Sequence, residues 1–304
     1  MPTPFTLQFH ISSAEEGLLL RDFLMQNHIS KTALTDIKYH GGKITVNGKE
    51  ETVRYLLKQN DTLVVQYPPE PANSHLQGEN IALNIVYEDE FLLIIDKPAG
   101  ISTIPSHEHP CGTLANGLLY HYQQISHVGA AHFVTRLDYG TSGLVLVAKH
   151  RHIHNLLSQA QQQHAITKEY LAWIKGTLPI PKGRIDLPIA RTDTSIIKRH
   201  ISSNGQPATT LYETAQVLLH QSQKYSLLRL QLLTGRTHQI RVHLEALGHP
   251  LLGDRLYGGD CTLLTRQALH CTKLQFIHPI TNQPLCVNSS LPQDLQQTTL
   301  FQID

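Results

Sequence analysis

The apolar residues of this chain occur in short runs rich in Val, Ile and Leu, and no run is longer than a β-strand. The longest runs are Phe91–Ile95 and Leu144–Ala148. A membrane-spanning helix needs about 20 consecutive apolar residues, so the sequence predicts no contact with a membrane. Many such runs, with few segments of helical period, favour an α+β fold. We expect a mixed or antiparallel sheet with peripheral helices.

A stretch rich in Pro, Gly, Asn and Ser, residues 68–80, interrupts the chain of 304 residues. Such composition is typical of the boundary between domains. We therefore predict a small α/β domain at 1–70, a linker at 71–80 and a larger domain at 81–304.

Short elements are predicted in the first domain. Ser12 and Glu15 have the spacing of a capping box, which predicts a helix start there. A second helix is predicted over Ser30–Tyr39. The dipeptide Asn47-Gly48 favours a tight β-hairpin, because both residues tolerate positive φ.

Charge and cysteine usage exclude several classes of protein. The chain carries 25 basic and 24 acidic residues, with local basic excess at Lys182, Arg184, Arg191, Lys198 and Arg199. That stretch is compatible with RNA or with an ordinary solvated surface. The four cysteines lack CxxC spacing, which favours reduced thiols and a cytoplasmic location. The 20 histidines lack HExxH or CxxC…HxxxH spacing, so we expect no metal site.

Polar residues cluster in three segments of the second domain. They are Thr135–Gly143 (TRLDYGTSG), Lys168–Tyr170 (KEY) and Leu233–His243 (LTGRTHQIRVH). Asp138 lies on a turn before an apolar strand, where a carboxylate can act as nucleophile or base, or can simply cap the turn. Tyr170 can stack on a base or pack within a strand. Arg236 and Arg241 can hold a carboxylate or a phosphate, or face solvent.

In this order the segments resemble the RluA-type family of RNA pseudouridine synthases. The nucleophile motif of that family is HRLDxxTSG, and Thr135 stands here in place of its histidine. The resemblance extends from Ile81 onward. It also includes the segments Asp96–Gly100 (DKPAG), Gly235–His243 (GRTHQIRVH), His249–Gly258 (HPLLGDRLYG) and Leu269–Pro279. Residues 1–70 resemble an S4-type RNA-binding domain, in Leu20–Leu24, Ser30-Lys31 and the segment GGKITVNGK.

The resemblance implies an isomerase that converts uridines in structured RNA to pseudouridine. No atoms are gained or lost, so we expect no cofactor, neither a nucleotide nor a metal. Asp138 is then the essential carboxylate, whether it adds to the substrate or abstracts a proton. Arg241 is its cationic partner, and Tyr170 stacks on the uracil.

Substrate contacts are assigned in the same way. The target base must be flipped out of the RNA, and Arg136 is placed to fill the gap that it leaves. Leu269 is expected to form an apolar wall under the ring. Arg236 and Thr135 are further substrate-binding candidates. Large-subunit ribosomal RNA is the leading partner for a protein that we expect to be a monomer.

Three alternatives remain open at this point. Transfer RNA is the second candidate substrate. An RNA-binding protein with an impaired site is compatible with Thr135 and the S4-like domain. A hydrolase that uses Asp138 as nucleophile would need a second carboxylate, such as Glu169 or Asp254, and no motif marks such a pair.

Overall fold

A computed structural model describes residues 4–70, 76–192, 195 and 197–301 of the chain. Two sheets with separate apolar cores dominate these residues. One sheet has four strands and the other has ten, while a further pair of short strands lies apart from both. The predicted linker at 71–80 falls partly outside the described residues, at 71–75. The predicted domain boundaries remain a prediction.

The four-stranded sheet belongs to the N-terminal unit, in the order β1-β4-β2-β3. The elements are β1 (Thr6–His10), α1 (Leu20–Gln26), α2 (Lys31–Tyr39), β2 (Lys43–Val46), β3 (Lys49–Glu50) and β4 (Thr62–Gln66). The predicted hairpin is present, with Asn47 and Gly48 at positive φ. The helix predicted over Ser30–Tyr39 is present as α2, and the Ser30 side chain caps it by accepting the Ala33 N–H.

The predicted helix start at Ser12 is wrong. The Ser12 N–H does donate to the Glu15 carboxylate, at 2.7 Å. This contact closes an isolated turn, however, and Gly17 follows in the left-handed region of backbone space. Helix α1 begins only at Leu20, where the buried side chains of Leu20, Phe23 and Leu24 contribute to the apolar core.

The ten-stranded sheet has the order β10-β13-β14-β9-β15-β8-β6-β5, with β16 beside β15 and β7 beside β8. Its strands are β5 (Ile85–Glu88), β6 (Leu92–Lys97), β7 (His132–Phe133), β8 (Ser142–Ala148), β9 (Thr167–Lys175), β10 (Lys182–Asp186), β13 (Thr209–His220), β14 (Gln223–Leu232), β15 (Leu269–Ile277) and β16 (Pro284–Asn288). The short pair is β11 (Ile189–Arg191) with β12 (Arg199–Ile201). Among the described strands β8 and β15 pair in parallel and the other pairs are antiparallel, so the predicted mixed sheet is confirmed.

Helices lie around this sheet. They are α3 (Leu114–Gln124), α4 (Arg151–Gln162), α5 (Gln239–Ala246) and α6 (Gln297–Leu300), with 3-10 turns at Arg255–Tyr257 and Gln293–Leu295. Every residue of β8 is buried, as expected for a central strand covered on both faces. The run of apolar residues that marked β8 in the sequence therefore reflects its place in the middle of the sheet.

Candidate active site

The TRLDYGTSG loop crosses the end of the sheet at the point where β8 begins. Gly143 has φ of 111°, and a side chain there would overlap the backbone of Cys271 on β15. The glycine therefore permits β8 and β15 to lie close together. Because β8 lies close to β15, the loop that precedes β8 and carries Asp138 comes next to the β9–β15 pair. The side chain of Asp138 is 27% exposed, so it is partly open to solvent.

Arg241 joins Asp138 to a second carboxylate. The Arg241 Nη1 lies 3.0 Å from Asp138 Oδ2, and Nε and Nη2 donate to Asp254 at 2.7 and 2.8 Å. Burial opposes the charge of Arg241, but the hydrogen bonds and charges of Asp254 and Asp138 outweigh burial and raise its pKa. The guanidinium is therefore permanently charged and held in one orientation, facing Asp138.

A histidine and a tyrosine complete the surroundings of Asp138. The Nε2 of His238 lies 3.7 Å from Asp138 Oδ2, and its Nδ1 is 2.9 Å from the Tyr257 hydroxyl. That hydroxyl accepts the Arg199 N–H at 3.0 Å, which leaves its own hydrogen for Nδ1. Burial lowers the pKa of His238, although the charge of Asp138 opposes the shift. With the Tyr257 hydrogen directed to Nδ1, we assign the proton of the neutral ring to Nε2, on the side of Asp138.

The tyrosine of the KEY segment lies on β9 opposite Cys271. Tyr170 is buried, and burial first, then the contact with Cys271 and the charge of Asp138, raises its pKa well above the ordinary value. Its hydroxyl therefore stays protonated at neutral pH and can donate a hydrogen bond. Leu269, also buried, shares a face of β15 with Cys271, beside the tyrosine.

Two side chains hold the loops around Asp138. The buried ammonium of Lys97 donates to the carbonyls of Pro98 at 2.9 Å, Ile101 at 2.8 Å and Tyr139 at 3.4 Å. Burial lowers the pKa of Lys97 to about 7, while the charge of Asp138 opposes the shift. On the other side of Asp138, the Thr103 hydroxyl donates to the Leu137 carbonyl at 2.8 Å. The backbone on both sides of the carboxylate is thus tied down.

The remaining candidates occupy different environments. Thr135 is buried, and its hydroxyl accepts the Leu146 N–H at 2.9 Å, so the side chain supports the loop from inside. Arg136 is exposed on the loop. Arg236 is exposed as well, and its Nε donates to the Pro207 carbonyl at 3.1 Å. The structure brings Asp138, Arg241 and Tyr170 together, and places Arg236 beside a neighbouring cavity.

The basic stretch at 182–199 is partly neutralised by its own neighbours. Lys182 lies 3.6 Å from Glu213, and Arg184 pairs with Asp186. Residues 193, 194 and 196 of this stretch lie outside the described residues. These ion pairs reduce the positive charge that the composition suggested at this surface.

The described ranges hold neither a metal-binding cluster nor a membrane-length helix. No group of three or more His, Cys, Asp or Glu side chains there is arranged to hold a metal ion. In the same ranges, no helix has both the length and the apolar composition needed to cross a membrane. His150 instead stacks on Phe5 of the N-terminal unit, with ring centroids 4.0 Å apart.

A family model described as RNA pseudouridylate synthase matches residues 91–246, the range that holds Asp138, Tyr170 and Arg241. The chain belongs to the RNA pseudouridylate synthase family. An uncharacterised RNA pseudouridine synthase of Bacillus subtilis is 44% identical over 281 residues, 92% of this chain and 98% of that protein. The ribosomal large subunit pseudouridine synthase D of Vibrio cholerae is 37% identical, over 85% of this chain and 83% of that protein.

Solved structures agree with this assignment. Human RNA pseudouridylate synthase domain containing 1 superimposes with a TM-score of 0.59 and is 28% identical, over 72% of this chain and 88% of that one. Human RNA pseudouridylate synthase domain containing 4 shares the fold, with a TM-score of 0.55 over 70% of this chain and 90% of that one. The RluA-type resemblance and the isomerase class inferred from the sequence are therefore confirmed.

Sequence reasoning missed several residues that surround Asp138 in the pseudouridine synthase site. Asp254 was considered only as a hydrolytic carboxylate, whereas it holds Arg241. His238, Tyr257 and Lys97 were not assigned roles. Each of the four lies inside a segment that carried the resemblance. Their position in polar motifs indicated that they could have a functional role. No rule of sequence spacing, however, predicts which of them come into contact.

Proposed function

We propose that this protein converts uridines in large-subunit ribosomal RNA to pseudouridine, with Asp138 as the essential carboxylate. The observation that carries the proposal is the partly open Asp138, held by the buried Arg241–Asp254 pair within the region that the family model matches. The Vibrio cholerae relative, which is named for the ribosomal large subunit, supports this class of RNA.

Asp138 must be ionised to act as nucleophile or base. A cation at hydrogen-bond distance favours the ionised carboxylate, and Arg241 supplies that cation at 3.0 Å. The second carboxylate, Asp254, keeps the guanidinium in place, so that Arg241 does not have to reorganise during the reaction. His238 adds an N–H on the same side of Asp138.

We assign the target base to the surroundings of Asp138. The Tyr170 ring and the Leu269 side chain supply aromatic and apolar surface next to the carboxylate. A flipped uridine would stack its uracil against that surface while its ribose C1′ faces Asp138. Because the Tyr170 hydroxyl stays protonated, we assign it a role in stacking and hydrogen-bond donation rather than in abstraction of the C5 proton.

Contacts with the rest of the RNA come from exposed residues around the pocket. We assign Arg136 to the gap that the flipped base leaves, because its side chain lies in solvent two residues before Asp138. Arg236 is assigned to the RNA backbone. Thr135 then acts indirectly, since its hydroxyl holds Leu146 and not the substrate. The N-terminal unit is proposed to bind RNA as an S4-type domain, in a cytoplasmic protein that acts as a monomer.

Tritium release tests the proposal directly. RNA that lacks pseudouridine and carries tritium at uridine C5 is incubated with the wild type and with Asp138→Asn. We expect release by the wild type, and a loss on the order of 1,000-fold or more in the variant, as for removal of a nucleophile in other enzymes. Because the carboxylate is partly exposed, the variant should stay folded and still bind RNA.

Separate ribosomal and transfer RNA fractions identify the substrate class. Release from large-subunit ribosomal RNA alone is the expected result. Tritium release from transfer RNA alone would show that the proposed substrate is wrong and that the proposed reaction is right. If the protein binds RNA but releases no tritium from either fraction, it is an RNA-binding protein and not an enzyme.

A further inference from the structure

The cavity beside Arg236, of about 540 Å³, opens between the end of β14 and the end of α4. Its wall includes Gln161, Gln162, Lys168, Thr234, Gly235 and Arg236. None of the described residues that line this cavity carries a carboxyl group, whereas Lys168 and Arg236 each carry a positive charge. The cavity is therefore polar and cationic, which suits an anion.

Lys168 lies at the base of this cavity and is only 8% exposed. Within the part of the chain that the structure describes, no ion pair or hydrogen bond engages its ammonium group. The next residue differs, since Glu169 pairs with Lys273 at 3.1 Å on the opposite face of the strand. Burial lowers the pKa of Lys168 below its ordinary value. An unpaired cation at a buried position is costly, and an anion in the cavity would remove that cost.

The loop that carries Arg236 is held in place before any ligand binds. The buried side chain of Gln239 accepts the Arg236 N–H at 3.0 Å and the Thr234 hydroxyl at 2.8 Å. The Arg236 Nε donates to Pro207, and none of the described carboxylates pairs with its guanidinium. Lys168 and Arg236 thus present two cations across a preformed polar pocket.

The position of Lys168 links this pocket to the active site. Lys168 and Tyr170 are both buried on β9, and residues two apart in a strand lie on the same face, about 7 Å apart. Tyr170 in turn pairs with Cys271 across the β9–β15 ladder, and the charge of Asp138 is near enough to affect its pKa. The cavity therefore lies about 7 Å along β9 from the place where the uracil would bind.

We propose that this cavity binds a backbone phosphate of the RNA next to the target uridine, with Lys168 and Arg236 as its ligands. The inference rests on the proposed function, because it takes the occupant to be RNA. A phosphate diester offers oxygen acceptors to the ammonium, the guanidinium and the side-chain amides of Gln161 and Gln162. Its binding would position the RNA strand while Tyr170 and Asp138 receive the base.

Kinetics at several salt concentrations test the phosphate contact. The substrate is a transcript of a bacterial large-subunit ribosomal RNA with tritium at uridine C5. For Lys168→Met, we expect KM to rise about 10- to 100-fold, the range for loss of one charged hydrogen bond, with kcat changed much less. The slope of log(kcat/KM) against log[salt] should become shallower by about 0.7, the value for one phosphate contact on a single strand.

Two matched variants control the experiment. Lys168→Arg keeps the charge and should restore the salt slope, which a merely structural role for the lysine would not predict. Lys175→Met removes a lysine from the same strand that is paired with Asp260 outside the cavity, and it should leave KM and the slope unchanged. If Lys168→Met fails to fold, the exposed Arg236→Gln supplies the same comparison of slopes.

The outcomes separate this inference from the proposed function. If the wild type releases no tritium, the function fails, and the phosphate contact is then tested by filter binding of the same transcript in the Asp138→Asn background. If the wild type is active while Lys168→Met and Arg236→Gln keep the wild-type slope, the phosphate site is wrong. A fall in kcat at an unchanged slope would also overturn it, since Lys168 would then serve the chemistry or the fold.

Discussion

The Arg241 guanidinium bridges two carboxylates of unequal exposure. Its Nη1 is 3.0 Å from Asp138, which is 27% exposed, and its other nitrogens hold Asp254, which is 1% exposed. The guanidinium also lies over the Tyr257 ring, 4.9 Å from its centroid. One carboxylate therefore fixes the arginine, and the arginine in turn orients the carboxylate that faces solvent. We therefore expect substitutions of Arg241, Asp254 and Asp138 to differ in their effects on activity and stability.

Arg241→Lys should keep the fold but lose most of the activity. A lysine ammonium cannot hold Asp254 through two parallel bonds and contact Asp138 in the same geometry. A misplacement of about 1 Å at a catalytic group costs on the order of 100-fold in rate, and we expect kcat to fall by that amount. Tritium release at saturating RNA measures it. Wild-type kcat in the lysine variant would contradict the proposed role of the guanidinium.

Asp254→Asn should destabilise the protein far more than Asp138→Asn. Removing the charge of Asp254 takes away the main partner of a buried guanidinium, and breaking a buried pair costs roughly 3–5 kcal/mol. Asp138 is partly exposed and accepts one hydrogen bond from Arg241, with His238 further away at 3.7 Å, so its replacement should cost about 1 kcal/mol or less. Urea unfolding of the two variants supplies the comparison. Equal losses of stability would show that the two carboxylates do not differ in this way.

Replacement of a buried tyrosine by phenylalanine should lower stability at Tyr257 but not at Tyr122. The Tyr257 hydroxyl bonds with both His238 and the Arg199 N–H, so Tyr257→Phe should cost about 1 kcal/mol of stability and lower kcat. The Tyr122 hydroxyl is buried with no hydrogen-bond partner in the described structure. Tyr122→Phe should therefore leave stability unchanged or raise it. Thermal unfolding of both variants checks the contrast, and a stabilised Tyr257→Phe would refute it.

Thr135→Val should lower stability, whereas Thr135→Ser should not. The valine has nearly the same shape but leaves the buried Leu146 N–H without its hydroxyl acceptor, which costs about 1–3 kcal/mol. Serine keeps the acceptor. Chemical denaturation separates the two variants, and tritium release then reports whether the loop still presents Asp138. If valine were tolerated as well as serine, the hydroxyl would have to act elsewhere, for example on substrate.

Acid should weaken the fold through His152. Burial first, and then the charge of His28, lowers the pKa of His152 to about 4, from the ordinary value of 6.5. The unfolded chain therefore binds the proton between pH 6.5 and pH 4 while the folded chain does not. His152 therefore does not lower the free energy of unfolding above pH 6.5. Between pH 6.5 and pH 4 it lowers that free energy by about 1 kcal/mol per pH unit.

His152→Gln removes this titration and should reduce the loss of stability on acidification. Urea unfolding at pH 7, 6 and 5 for the wild type and the variant gives the two pH slopes. The site lies where the histidine contacts Tyr67 of the N-terminal unit, with ring centroids 5.3 Å apart. Identical slopes would show that His152 is not kept neutral by burial.

Much of the secondary structure was predictable because local patterns decide it. The apolar run before Lys149 predicts a buried strand, and Asn47-Gly48 predicts a hairpin. The failure at Ser12 has a physical reason. A capping box satisfies backbone groups only at the start of a helix that goes on to bury an apolar face. The chain turns at Gly17 instead, and the apolar face begins at Leu20.

The site was predictable in part. Asp138, Tyr170 and Arg241 could be named because each stands in a motif that resembles the family. The partner of Arg241 could not be named, because Asp254 lies 13 positions further along the chain, beyond the end of α5. Lys168 was visible in the KEY segment, but only its burial and the cavity beside it suggest a phosphate.

The sequence by itself determined the family and the class of reaction and indicated Asp138 as the proposed essential carboxylate, since its motifs resemble those of the family in residue type and local spacing. Only the tertiary structure decided how those residues act on each other. The contacts with Asp254 and Asp138 keep Arg241 charged although it is buried, and burial keeps Tyr170 protonated. Among the described residues, no carboxylate pairs with the buried Lys168. Burial and pairing depend on which distant segments the sheet brings together, and the packing of β8 against β15 at Gly143 is the contact that brings them together here.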